Sequence, residues 1–227
     1  MPRVLEHLEP KAVFHFFEDL TRIPHGSRNT KAISDYCAAF ARARGLWVYQ
    51  DELNNVIIKK PASAGYETAP AVILQGHLDM VAEKTPESPI DMTKDALALR
   101  VEGDYVSADG TTLGGDDGIA VAMALAVLDA DDIPHGPLEC VFTADEEVGM
   151  IGARALDALH AGLECGILSG KLPKLDCISL GPDLTDIHTP RERLHIASTE
   201  RTWRLLLGTL KRLDARALLW QKMKKGV

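Results

Sequence analysis

Apolar residues recur at helical spacing along several segments of the chain, and strand-like runs separate these segments. Apolar positions three and four residues apart are typical of a helix with one buried face, whereas alternation or a short continuous apolar run is typical of a strand. Helices are predicted over residues 10–23, 29–45, 117–130, 152–162 and 198–213. Strands are predicted over residues 46–60, with a turn at Asn54 and Asn55, and over residues 71–76, 97–108, 137–147 and 175–181.

The alternation of strands and helices predicts an α/β fold, with a mainly parallel sheet covered by helices on both faces. The run AVILQG at residues 71–76 is typical of a strand that is buried on both sides of such a sheet. We expect residues 1–213 to form a single domain, followed by a C-terminal tail at residues 214–227. Because ligands bind beyond the carboxyl ends of strands in α/β sheets, the residues just after each strand are candidates for chemistry.

The net charge, the cysteine spacing and the lengths of the apolar stretches limit the kinds of partner and compartment that this chain can have. The 227-residue chain has a formal net charge of −8, whereas a nucleic-acid-binding surface is normally basic, so no nucleic acid is expected. The four cysteines have no CxxC spacing, which indicates reduced thiols in a cytoplasmic protein. No stretch approaches the roughly 18 apolar residues of a membrane span, so no membrane partner is expected either.

Acidic and imidazole side chains follow two predicted strands and precede one predicted helix. Carboxylates at close range repel one another, so such a group needs a cation or raised pKa values. A bound cation is the simpler solution, and imidazole with carboxylates suits Zn²⁺, with Co²⁺ or Mn²⁺ as further possibilities. Taken singly, each cluster also has an ordinary interpretation as loop polarity, an acidic helix start or a solvated charge run. The clusters are His77 with Asp79, Asp116 with Asp117, and residues 145–147.

Four segments together resemble a known enzyme family. They are QGHLDMVAEK, DGTTLGGDDGIAVAMALAVL, FTADEEVGMIGA and GPDLTDIHTPRERLHIASTERTW. They are similar to the aminoacyl-histidine dipeptidases, or peptidase D, of the M20 metallopeptidase family. The resemblance implies a zinc-binding catalytic domain with a pair of metal ions, interrupted by a second, lid-like domain. It implies small dipeptide substrates, including those with a C-terminal histidine.

The same resemblance implies a role for individual residues. His77 would bind one metal ion, Asp116 would bridge the two ions, and Glu147 and His188 would hold the second ion. Glu146 would be the general base, taking a proton from water and returning it to the leaving amine. Asp79 would orient His77 through a hydrogen bond to its other ring nitrogen.

The sequence also departs from the family pattern. A further carboxylate ligand, expected on a strand shortly after the paired glutamates, has no counterpart here, and the lid domain is absent from the match. The seam of this internal deletion is predicted near residues 155–159. His160 follows the seam, in a segment that resembles a family motif near the active site.

Two functional hypotheses follow from this departure. The first is an M20-type catalytic domain without its lid, which hydrolyses Xaa-His and related dipeptides with impaired activity and holds one ion tightly. The alternative is a non-catalytic remnant that binds at most one metal ion. A binding module without metal is the least favoured class. Loss of a strand would expose a sheet edge, through which copies of the chain could associate.

Overall fold

The computed structural model describes residues 3–156 and 176–213. The helices are α1 (Lys11–Thr21), α2 (Lys31–Ala43), α3 (Gly115–Asp129), α4 (Ile151–Ala155) and α5 (Ile196–Arg212). The strands are β1 (Trp47–Gln50), β2 (Val56–Lys60), β3 (Val72–His77), β4 (Leu99–Glu102), β5 (Tyr105–Ala108), β6 (Leu138–Thr143), β7 (Leu184–Thr185) and β8 (Arg193–His195). The predicted α/β class is confirmed, and no helix in the described part is long and apolar enough to cross a membrane.

The first sheet has the strand order β1-β2-β6-β3 and is mixed. Only β3 and β6 are parallel, whereas β2 pairs antiparallel with both β1 and β6. The prediction of a mainly parallel sheet is therefore wrong. The hairpin turn, which contains Asn54 at a φ of 69°, makes β1 and β2 antiparallel, whereas the antiparallel pairing of β2 with β6 depends on contacts distant in sequence. This turn was predicted, but its effect on strand direction was not.

Strand β3 is less buried than its sequence suggested. Residues 72–75 are half-buried, and only Gly76 and His77 at the carboxyl end are buried. Among the described residues, β3 has a single neighbour, β6, and therefore forms an edge of the sheet. The prediction of a strand buried on both sides is wrong at this position, because an edge strand shields its flanks less than a central strand does.

The second sheet has the order β4-β5-β8-β7 and is antiparallel. The predicted hairpin of β4 and β5 is confirmed, with Gly103 in its turn at a φ of 59°. Residues 176–181 contain no strand, contrary to prediction. They are mostly exposed and have no partner in a ladder, and Ile178 is 69% exposed. An apolar run without a neighbouring strand does not form a sheet.

Helices cover both faces of the first sheet, as predicted. Alternate residues of β2 face opposite sides, so that Val56 and Ile58 join the main core whereas Ile57 packs with α4. Helix α3 is buried nearly all round because small and branched apolar residues fill its sequence, and it packs against β3 and α1. The main core therefore lies between this sheet and helices α1 to α3.

The helix boundaries confirm the local signals with one exception, the N-cap of α5. Gly45, the predicted end of the second helix, follows α2 at a φ of 66°. Helix α5 begins at Ile196, and its N-cap is His195, whose Nδ1 accepts a hydrogen bond from the Ser198 N–H at 3.1 Å. Ser198 is therefore not the cap. The predicted tail, His160 and most of the predicted deletion seam lie outside the described residues.

Candidate metal centre

The parallel pairing of β3 with β6 brings two polar clusters to one edge of the sheet. His77, the last residue of β3, lies opposite Thr143, the last residue of β6. Asp79 follows the first strand, and residues 145–147 follow the second. The third cluster reaches the same edge at the start of α3, where the Asp116–Asp117 peptide bond is cis. The sequence placed each cluster at the end of a strand or the start of a helix. The β3–β6 pairing and the start of α3 bring the three clusters to one edge of the sheet.

The four predicted metal ligands lie in contact with one another. His77 Nε2 is 3.2 Å from Asp116 Oδ1, and His188 Nε2 is 3.5 Å from Asp116 Oδ2. His188 Nε2 is also 2.9 Å from Glu147 Oε1. Potential ligand atoms of His77, Asp116 and Glu147 all lie within 4.8 Å of one another. Asp116 therefore uses one carboxylate oxygen toward each imidazole.

These distances fit donor atoms that share a cation. Ligand atoms bound to one tetrahedral Zn²⁺ at about 2.0–2.2 Å lie roughly 3.3–3.6 Å apart. The observed separations of 2.9, 3.2 and 3.5 Å lie within about 0.4 Å of that range. Moreover, Glu147 Oε1 is buried and makes no aligned hydrogen bond, despite its closeness to His188. A buried carboxylate oxygen without a donor is costly, and a cation would satisfy it.

The electrostatics of the cluster also favour positive charge. Burial raises the pKa of Glu147. Burial alone would lower the pKa of His77, but hydrogen bonds to Asp116 and Asp79 outweigh it and raise this pKa to about 11. The hydrogen bond from His77 in turn lowers the pKa of Asp116. The carboxylates thus stabilise a proton on His77, and a metal ion would replace that proton with a larger positive charge.

Asp79 is buried at the centre of the edge, but its contacts differ from the prediction. His77 Nδ1 lies 2.9 Å from the backbone carbonyl of Asp79 and 3.5 Å from its carboxylate. The carboxylate instead accepts hydrogen bonds from the backbone N–H groups of Glu146 at 2.9 Å and Glu147 at 3.2 Å, and from Ser27 Oγ at 2.8 Å. Asp79 therefore orients His77 mainly through its main chain, while its side chain holds the loop after β6.

Glu146 lies at the border of the cluster and is less buried than His77 and Glu147. Its Oε2 atom is 4.0 Å from His77 Nε2, and its side chain is 23% exposed. Glu147, by contrast, is 9% exposed and contacts His188. Adjacent residues on extended backbone point in different directions, which allows one glutamate to bind an ion while the other reaches the solvent side.

Three residues that shape this site were given no role in it by the sequence. Asp117 is half-buried behind the cluster, where its Oδ2 accepts a hydrogen bond from the His77 N–H at 3.3 Å, and desolvation raises its pKa to about 7. Asn55 Oδ1 accepts a hydrogen bond from the Ala144 N–H at 3.0 Å, and this contact fixes the end of β6. Glu192 binds the loop before α3. The doubled aspartate in GGDDG was a usable signal for Asp117, whereas Glu192 resembled a surface charge within RER.

Comparison with known proteins agrees with this geometry. Residues 73–174 match the family described as Peptidase family M20/M25/M40. The chain is also 42% identical, over 152 residues, to the cytosol non-specific dipeptidase of Escherichia coli K12, a match that covers 67% of this chain. Residues 73–174 are therefore similar to this peptidase family. The chain spans only 31% of the length of the dipeptidase relative, and this partial coverage fits the predicted internal deletion.

Solved structures extend the M20 comparison to the fold. The aminoacylhistidine dipeptidase of Vibrio alginolyticus superposes with a TM-score of 0.66 at 42% identity, covering 68% of this chain and 31% of that protein. A tripeptidase from Staphylococcus aureus gives a TM-score of 0.54 at 26% identity, over 66% and 40% of the two chains. The predicted resemblance to the aminoacyl-histidine dipeptidases is therefore confirmed.

Proposed function

We propose that this chain is a metal-dependent hydrolase of the dipeptidase type, acting on Xaa-His and related dipeptides in the cytoplasm. The observation that carries the proposal is Asp116, whose two carboxylate oxygens each contact one imidazole, His77 on one side and His188 on the other. Glu147 closes the group through His188. The relatives named for dipeptide cleavage support the substrate class, and the cytosolic relative supports the location.

His77, Asp116, Glu147 and His188 would hold the metal, with Zn²⁺ favoured and Co²⁺ or Mn²⁺ as alternatives. When bound, such an ion supplies a Lewis acid that polarises a carbonyl group and makes a nearby water more acidic. Glu146, whose Oε2 lies 4.0 Å from His77 Nε2, would accept the water proton and return it to the leaving amine. The Asp79 backbone carbonyl accepts from His77 Nδ1 and so directs Nε2 toward Asp116.

The proposed activity is weak. Asp116, Glu147 and His188 give one ion three protein ligands, the usual complement of a catalytic zinc. Under the predicted roles, a second ion would have two ligands among the described residues, His77 and the shared Asp116. Two ligands form an incomplete site, so one tightly held ion is expected. Losing one oxyanion contact typically lowers the rate by about a hundredfold or more, and the missing lid would weaken substrate positioning further.

The alternative is a non-catalytic remnant that binds at most one metal ion. Within residues 3–156 and 176–213, β3 forms an edge of its sheet, which favours self-association in either case because unpaired backbone groups on an edge strand can pair with another chain. The edge alone does not separate the two functions, but turnover does.

Metal content and hydrolysis of a Xaa-His dipeptide, measured on the same purified protein with saturating Zn²⁺, test the proposal. We expect about one tightly bound ion per chain and turnover well below about one per second, the lower end of ordinary enzymes. The Asp116→Asn variant is the control and should lose both ion and turnover. Two tight ions with turnover of about one per second or faster would contradict the impairment. One ion without any turnover would favour the remnant.

A further inference from the structure

Glu192 has an unusual set of contacts for a glutamate. Its side chain is buried, and its carboxylate accepts hydrogen bonds from consecutive backbone N–H groups. The donors are Leu113 at 2.8 Å, Gly114 at 3.1 Å, Gly115 at 2.8 Å and Asp116 at 3.4 Å. Hydrogen bonds to an ionised carboxylate are stronger than those between neutral groups. This carboxylate therefore holds the whole loop that leads into α3 and carries Asp116.

The paired glycines of this loop make the close approach of Glu192 possible. A Cβ atom on Gly115 would lie 3.1 Å from Glu192 Oε1 and 2.7 Å from Leu184 Cδ2. Gly114 adopts a φ of 70°, in the left-handed region that side chains disfavour. The glycines therefore allow the backbone to wrap around the carboxylate, which gives the GG dipeptide a structural role distinct from metal binding.

Glu192 also belongs to the turn that presents His188. His188 has a φ of 62°, and the Glu192 N–H donates to the Thr189 carbonyl at 3.0 Å. Thr189 Oγ1 donates to the Asp186 carbonyl at 2.8 Å, which closes the preceding part of the turn. His188 and Glu192 are thus four residues apart on one hydrogen-bonded segment. A shift of Glu192 would move this segment relative to the loop of Asp116.

We propose that Glu192 is a positioning residue that fixes Asp116 and His188 at their mutual distance. Its side chain binds the loop of Asp116, and its backbone belongs to the turn of His188, so one residue couples two proposed ligands that lie far apart in sequence. The inference rests on the proposed metal centre. Residues that orient metal ligands typically change metal affinity by about ten- to a hundredfold when they are substituted.

The test compares the full chain with its Glu192→Gln and Glu200→Gln variants. Glutamine keeps the shape of Glu192 but replaces one acceptor oxygen with an NH₂ group that cannot accept the backbone N–H groups. Glu200 is the matched control because it lies on the same C-terminal segment and pairs with Arg204 only through side chains. The readouts are amide hydrogen exchange in the metal-free protein, and affinity for Co²⁺ with the visible absorption of the bound ion.

For Glu192→Gln we expect faster exchange confined to amides 113–116, about ten- to a hundredfold weaker Co²⁺ binding and an altered cobalt spectrum. Glu200→Gln should match the parent in all three readouts. Unchanged exchange and affinity in Glu192→Gln would overturn the proposal, and so would faster exchange spread evenly over the chain, which indicates general destabilisation.

Two further outcomes keep the inference distinct from the metal proposal. If the parent itself binds no Co²⁺, the metal centre fails, while exchange at amides 113–116 still decides whether Glu192 holds the loop. If Glu192→Gln does not fold, Glu192→Asp replaces it. This shorter carboxylate should retain part of the protection and part of the affinity, and a parent-like result for both would overturn the positioning role.

Discussion

At the scale of single residues, the site contains two kinds of residue: the proposed metal ligands and the residues that hold those ligands in place. His77, Asp116 and Glu147 were predictable because each lies at the end of a predicted strand or the start of a predicted helix, whereas His188 was assigned only through the family resemblance. The residues behind the ligands were not predictable, since a lone glutamate such as Glu192 or an asparagine such as Asn55 has no periodic neighbours to mark it. Asp79 lies between the two cases, because its position was predicted correctly but its carboxylate contacts the backbone of Glu146 and Glu147.

The two adjacent glutamates should differ when each is replaced by glutamine. Glu146→Gln is expected to remove most of any dipeptide hydrolysis and to leave metal content nearly unchanged, because Glu146 borders the cluster and Glu147 contacts His188. Glu147→Gln should lose metal as well. Metal content and turnover measured side by side check this pair, and equal metal loss in both variants would mean that the assigned roles are exchanged.

The raised pKa of His77 predicts a pH dependence for the metal-free protein. Its folded value of about 11 exceeds the usual value of 6.5, so the charged imidazole stabilises the folded state fully below about pH 6.5. This contribution is lost as the pH rises toward 11. Chemical denaturation of the parent and His77→Gln from pH 6 to pH 10.5 should give a stability difference that shrinks with rising pH. A difference that grows with pH would contradict this assignment.

At the scale of elements, local patterns predicted the helices and hairpins, whereas strand pairing depended on contacts distant in sequence. The hairpins at Asn54 and Gly103 follow from turn residues with positive φ. The direction of β2 relative to β6, the edge position of β3 and the lack of a strand at 176–181 do not follow from any local window. Each depends on which neighbour is present, and a single sequence does not encode that in its periodicity.

The tight packing at the start of α4 predicts a large effect of one methyl group. A Cβ atom on Gly152 would lie 2.2 Å from Asn55 Oδ1 and 2.5 Å from the Ala144 carbonyl oxygen. Gly152→Ala should therefore lower the free energy of unfolding by about 1–3 kcal/mol, as overpacking does. Gly181→Ala, where a Cβ meets nothing within 4 Å, is the control. Urea denaturation compares the two, and equal stabilities would refute the packing argument.

At the scale of the whole molecule, the chain joins the two halves of the proposed metal cluster. Residues 71–147 carry His77, Asp116 and Glu147, and the described C-terminal part, residues 176–213, returns His188 and Glu192 to the same edge. Strand β8 anchors this C-terminal part, because it pairs with β5 and is followed directly by α5. The cluster therefore depends on the docking of both parts, although the chain spans only 31% of its dipeptidase relative.

The position of a bound ion tests the central claim most directly. Crystals grown with Zn²⁺ and measured at the zinc absorption edge should give an anomalous peak in contact with Asp116, Glu147 and His188, at ligand distances of about 2.0–2.2 Å. The same peak should be absent from crystals of Asp116→Asn. A strong zinc peak elsewhere, with Asp116 and His188 contacting only each other or water, would contradict the account.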